Sequence, residues 1–150
     1  MEKSLVLLKP DAVQRGLVGE IISRLERRGL TLVGAKLMSV SDDLARRHYA
    51  EHVGKPFFDG LVSFITSSPI MAMVIQGQNA VEVVRATIGE TDPRKSPPGT
   101  IRGDLALSIG MNLIHGSDSN ESAKREMGLF FSDDELLDYE KDGDRWTTEA

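Results

Sequence analysis

Apolar and polar positions along the 150-residue chain switch between two periods, and each switch marks an element. Ser4-Leu5-Val6-Leu7-Leu8 is a short apolar run stopped by Lys9-Pro10-Asp11, the pattern of a buried strand entering a turn. From Leu17 the spacing is helical: Leu17, Ile21, Ile22 and Leu25 share a face, and Gly29 is a natural stop. Leu30 to Val40 returns to strand-like residues. Ser41-Asp42-Asp43 opens a helix with a capping hydroxyl and acids at the positive end of the dipole, with Arg46, Arg47 and His48 toward the other end. Phe58, Leu61, Val62 and Ile65 form a further helix face, ending near Ser67-Ser68-Pro69. Ile70 to Ile75 is the clearest buried strand, and Asn79-Ala80-Val81-Glu82 caps a helix with Val81, Val84 and Ile88 on its face.

Residues 89–103 break both periods. Pro93, Pro97 and Pro98, with Gly89, Gly99 and Gly103, predict an irregular loop of about fifteen residues, a length that in compact domains usually serves function. Ile109 to His115 reads as a last strand, Asp118 with Glu121 as a second capping pattern, and Ser132-Asp133-Asp134-Glu135 as the cap of a short helix. The order β-α-β-α-α-β-α-loop-β-α predicts an α+β, ferredoxin-like sandwich: an antiparallel four-stranded sheet with helices packed on it and an inserted loop near 89–103. One domain spans 1–150, with 141–150 as a C-terminal extension.

Composition narrows the function classes. Hydrophobic residues are 40% and charged residues 27%, as in an ordinary globular chain. There is no cysteine, which removes disulfides, thiol catalysis and cysteine zinc sites. No apolar run approaches the ~18–20 residues of a membrane span, and the N-terminus lacks a signal-peptide pattern, so a cytoplasmic protein is expected. Net charge is −5 but uneven: residues 1–117 carry 14 basic and 12 acidic side chains, residues 118–150 carry 4 and 11. A general polyanion binder would be basic overall, so specific nucleic-acid binding is not expected, whereas a small anionic ligand needs only a few cations in one pocket. An aromatic content of 5% likewise offers no base-stacking strand for an RNA reader.

Several motifs carry candidate chemistry. Gly89-Glu90-Thr91-Asp92-Pro93-Arg94-Lys95-Ser96 nearly matches a phosphate-binding P-loop, but Arg94 replaces the second glycine and Pro97-Pro98 forbids the helix that must follow. His48 and His52 have the i, i+4 spacing of a metal pair without an evident third ligand, so both read as structural. In Asn112-Leu113-Ile114-His115-Gly116-Ser117-Asp118 a histidine ends a strand, a glycine permits close approach, and a capped helix follows, a geometry that offers backbone N–H groups to a phosphoryl group.

That segment is similar to the N-x-x-H-G-S-D signature of nucleoside diphosphate kinases. Leu7-Leu8-Lys9-Pro10-Asp11 and Pro98-Gly99-Thr100-Ile101-Arg102-Gly103-Asp104 resemble the same family, and the likeness runs in order over about residues 3–140. The resemblance implies transfer of a γ-phosphoryl group from a nucleoside triphosphate, mainly ATP, to a nucleoside diphosphate through a phosphohistidine, with His115 as nucleophile through Nδ1. It implies that Arg85, Thr91 and Arg102 contact phosphates with His52 beside them, that Lys9 and Asn112 hold ribose hydroxyls, and that the base stacks on Phe57 opposite Ile109. Tyr49, Ser117 and Glu126 match groups around the histidine, with Glu126 orienting its ring. It further implies substrates of any base, Mg2+ carried by the nucleotide phosphates rather than by a protein metal cage, and a homohexamer of three dimers, or alternatively a tetramer. Met111 and Leu105 depart from the residues common at their positions, and Trp146 in the acidic tail is expected to pack on a neighbouring subunit. A non-catalytic nucleotide-sensing module on the same sandwich is the competing reading.

Overall fold

The computed structural model describes residues 1–149; of the expected extension 141–150, Ala150 lies outside the described residues. Four strands, β1 (Glu2–Leu8), β2 (Thr31–Met38), β3 (Ile70–Gly77) and β4 (Ile114–Gly116), form one sheet in the order β2-β3-β1-β4. Every neighbouring pair is antiparallel, with Leu5 opposite Val74 and Leu7 opposite both Ala72 and His115. This is the split βαβ arrangement that the element order predicts.

Helices cover both faces of the sheet. Leu5, Leu7, Ala72 and Val74 point to one side, where they meet α3 (Asp42–His48), α4 (Phe58–Ile65) and α7 (Asn120–Phe130) through Ala45, Val62, Ile65 and Phe130. Val6, Leu8, Met73 and Ile75 point to the other, against α1 (Pro10–Gln14), α2 (Val18–Arg27), α5 (Ala80–Ile88) and α6 (Ile101–Leu105). Burial on both faces explains why the central strands read as continuous apolar runs rather than alternating ones.

Three sequence expectations are corrected. The final strand is not Ile109 to His115 but Ile114–Gly116, with an isolated Ser108–Met111 bridge before it. Leu113 takes φ 74, which no strand accepts, and its N–H is held by the Asp11 carboxylate at 3.0 Å. The 89–103 loop is irregular only in part: a 3₁₀ turn at Pro93–Lys95 and the start of α6 lie within it. The caps also move. Of Asp118 and Ser119, it is Ser119 that accepts from Ser122 N to start α7 at 3.0 Å, and Asn79 sits at φ 53 with no side-chain cap bond, while the Glu2 carboxylate accepts from Val81 N.

Candidate active site

Short as it is, β4 carries the histidine that the sequence singles out. His115 pairs across from Leu7 on the central strand, and its side chain keeps 28% of its accessible surface. Gly116 follows for a packing reason: a methyl group there would meet Ile88 Cδ1 at 2.8 Å and Val84 Cγ1 at 3.1 Å, so only glycine lets α5 lie this close to the strand. That closeness brings Arg85, on α5, within 3.2 Å of the Gly116 carbonyl, to which it donates.

The result is a cleft of about 300 Å3 lined by His52, Arg85, Thr91, Arg102, His115 and Glu126, among others. Arg102 is almost buried and donates to three backbone carbonyls, those of Asn112 (3.1 Å), Glu90 (3.3 Å) and Ile114 (2.5 Å). One guanidinium thus fastens the 89–103 segment to the strand that bears His115. Burial, then the nearby charge of Arg85, lowers its pKa to about 10, which still leaves it fully charged at neutral pH. Of the five N–H donors of a guanidinium, those not directed at carbonyls remain for a ligand.

Around His115 the hydrogen bonds fix a tautomer. Its Nε2 lies 3.1 Å from Oε1 of Glu126, on α7, and the hydroxyl of the fully buried Ser117 donates to the same oxygen at 2.7 Å. Burial works against the Glu126 charge, but the hydrogen bonds from His115 and Ser117 and the His115 charge outweigh it and hold the carboxyl below its ordinary value. An ionised carboxylate only accepts. In the neutral ring, His115 Nε2 therefore carries the proton and Nδ1 keeps its lone pair.

A second imidazole stands behind the first. His48, at the end of α3, is buried, with its ring edge-on to His115 (centroids 4.9 Å apart, 87° between planes) and to Phe130 (5.3 Å). Burial, reinforced by His115, lowers its pKa to about 3, so it is neutral at physiological pH. Its Nδ1 has no hydrogen-bond partner among the described residues. The sequence paired His48 with His52; the fold pairs it with His115 instead.

The other predicted residues fall around this centre. Lys9 donates from Nζ to Asn112 Oδ1, and Asn112 Nδ2 donates to the Thr91 carbonyl at 3.0 Å, which links β1 to the loop. Burial lowers the Lys9 pKa to about 8, partly offset by Asp11 and assisted by Arg102. Phe57 is 51% exposed, in contrast to its buried neighbour Phe58, and its ring stands 5.3 Å from that of His52. Tyr49 packs its ring against His48 at 4.7 Å, and among the described residues no hydrogen bond joins its hydroxyl to His115. Burial raises that phenol to about 12. Two contributors escaped the sequence reading. Asp11 holds the strained backbone at Leu113, and Ser96 Oγ accepts from Glu90 N (3.1 Å) while bonding the Thr100 hydroxyl (2.7 Å), which braces the loop. Both lie within segments that the sequence singles out, but their roles depend on partners that only the fold supplies.

Fold and cleft together define a class: an α+β sandwich with a partly exposed histidine at the sheet edge beside two fixed guanidinium groups. Comparison with known proteins narrows it. Residues 2–136 match the family model described as nucleoside diphosphate kinase. The chain is 60% identical over 146 residues to the nucleoside diphosphate kinase of Thermomicrobium roseum, covering 97% of this chain and 98% of that protein. It is 60% identical over 149 residues to that of Natronomonas pharaonis, covering 99% and 97%. A solved structure, a halophilic nucleoside diphosphate kinase from Halobacterium salinarum in complex with CDP, superposes with a TM-score of 0.96 at 53% identity, covering 99% of each chain. The chain belongs to the nucleoside diphosphate kinase family. It is a phosphotransferase of that kind, with the phosphoryl transfer general to the family.

Proposed function

We propose that this transfer runs through His115 in a two-step cycle. The Nδ1 lone pair attacks the γ-phosphorus of a nucleoside triphosphate, the bond to the β–γ bridging oxygen breaks, and the nucleoside diphosphate leaves with that electron pair. A terminal β-phosphate oxygen of a second nucleoside diphosphate then attacks the phosphohistidine and frees the ring. The observation that carries this reading is the tie between Nε2 and an ionised Glu126, which leaves Nδ1 as the unprotonated nitrogen of a ring lining the cleft. As the N–P bond forms the ring gains positive charge, and the Glu126 carboxylate on its far nitrogen stabilises that charge.

Arg85, Arg102 and Thr91, with His52 nearby, hold the phosphates, because a planar guanidinium can grip two oxygens at once. Lys9 and Asn112 meet the ribose hydroxyls, and Phe57 offers an exposed ring on which any base can stack. Tyr49 and Ser117 support the centre, Ser117 through its bond to Glu126. The cleft presents cations rather than a carboxylate cage, and Glu126 is committed to His115 and Ser117. Mg2+ would therefore arrive bridging the nucleotide phosphates and keep several waters. The chain acts as a single catalytic domain in the cytoplasm, in a homohexamer of three dimers, with a tetramer as the alternative. The exposure of Leu107 (77%) and Trp146 (82%) supports assembly.

Incubation with γ-labelled ATP tests the reading. The native protein should retain an acid-labile, base-stable phosphate that GDP or CDP discharges. No retained label, together with a His115→Ala variant that converts GDP to GTP at the native rate, would overturn it.

A further inference from the structure

The three groups at the centre of the site have the composition of a metal site. His48, His115 and Glu126 each place a ligand atom so that all lie within 4.8 Å of one another. Two imidazoles and one carboxylate are a donor set that suits Zn2+ and its transition-metal neighbours far better than Mg2+, a hard cation that takes oxygen. The geometry points to an inhibitory transition-metal site at His48, His115 and Glu126, occupied by Zn2+ in competition with phosphorylation of His115.

Two further observations support it. His115 Nε2 and Glu126 Oε1 stand 3.1 Å apart. Zinc bonds of ~2.0–2.1 Å to nitrogen and oxygen at a tetrahedral angle would set the two donors ~3.3 Å apart, so this pair needs little movement, and His48, within 4.8 Å of both, closes the remainder. His48 is 4% exposed, and its Nδ1 has no hydrogen-bond partner among the described residues, so the buried ring is not committed through that atom to another group. The opposing charges are Arg125, 4.0 Å from the other Glu126 oxygen with a side chain 45% exposed and so able to turn toward solvent, and Arg85 and Arg102, which line the same cleft but donate to backbone carbonyls.

The consequence follows from proton bookkeeping. Zn2+ on Nε2 displaces the proton there, which moves to Nδ1. The nitrogen assigned to attack phosphorus then has no lone pair, and transfer stops until a chelator removes the ion. Binding itself does not depend on His115 being the nucleophile; only the inhibition rests on that reading.

Equilibrium dialysis of the untagged, nucleotide-free, unphosphorylated protein against ZnCl2 is the test, with 15N NMR of the histidines as a second readout. The expected result is one saturable Zn2+ per chain that survives millimolar Mg2+, is removed by EDTA, and moves the His115 proton from Nε2 to Nδ1. His115→Ala and His48→Gln should each weaken binding by more than the ~10–100-fold that loss of an outer-shell partner costs. Should His48→Gln not fold, Glu126→Gln must show the same loss. Absence of saturable binding, or binding that a folded His48→Gln or Glu126→Gln leaves unchanged, overturns the site. Neither outcome touches the phosphohistidine reading, which the labelled-ATP experiment tests separately.

Discussion

Glu126 and His48 flank one imidazole and do different work. Glu126 accepts from Nε2 and sets the tautomer, while His48 presents a neutral ring edge-on and contributes no charge of its own. Both couple stability to pH with the same sign. The unfolded chain protonates His48 near the ordinary 6.5, whereas the native ring resists until about 3. Between those values the unfolded state holds more protons, so stability falls as pH drops through that window, by up to about 1.4 kcal/mol per pH unit. Glu126, held below its ordinary value, adds to the loss once the pH falls past the usual carboxylate range. Urea midpoints should therefore decline from pH 7 to pH 4, and a folded His48→Gln variant should flatten the upper part of that decline.

Lys9 makes a kinetic prediction at the same scale. Burial lowers its pKa to about 8, so the cation beside Asn112 is lost in mildly alkaline solution. Profiles of kcat/KM should fall above pH 8, since they report the free enzyme. Lys9→Arg keeps its charge and should move that limb to higher pH. A limb unchanged in Lys9→Arg would assign the titration to another group.

At the scale of elements, the site is made by how closely α5, β4 and α7 converge. Gly116→Ala places a methyl group 2.8 Å from Ile88 Cδ1 and forces α5 outward, carrying Arg85 with it. A cost of about 1–3 kcal/mol, typical of overpacking, and a raised KM for nucleotide are expected from thermal unfolding and steady-state kinetics. Ser119→Ala removes only the cap of α7 and should cost about 1 kcal/mol while leaving KM near native. The strands and long helices were legible because two-sided burial and 3.6-residue spacing are local patterns. The bounds of β4 were not, because residues 109–113 serve a turn pinned by Asp11 and Lys9, over a hundred positions away in sequence from Leu113. The helical start within the loop was hidden by its prolines, although Thr100 Oγ1 caps it by accepting from Gly103 N at 2.9 Å.

For the whole molecule, the uneven charge and the exposed apolar side chains bear on assembly. Leu37 on the edge strand β2 is 63% exposed, and Leu107, Ile109, Met111 and Trp146 are exposed elsewhere. Sedimentation equilibrium should give six times the chain mass; four times would favour the tetramer, and a monomer would contradict both. His52, Arg85, Thr91, Arg102, His115 and Glu126, assigned to one site in the sequence only through the family resemblance, come to line one cleft. The pairing of His48 with His115 was not legible in the sequence, because two helices and a strand must fold together before the two rings meet.

The central claim is that His115 accepts the phosphoryl group on Nδ1 because Glu126 occupies the other nitrogen. Phosphoenzyme formed from ATP and kept at alkaline pH, with 15N-labelled histidine, allows tandem mass spectrometry to name the residue and NMR to name the atom. The account predicts phosphate on His115, bonded to Nδ1, with Nε2 still protonated. Phosphate on another residue, or on Nε2 of His115, would contradict it.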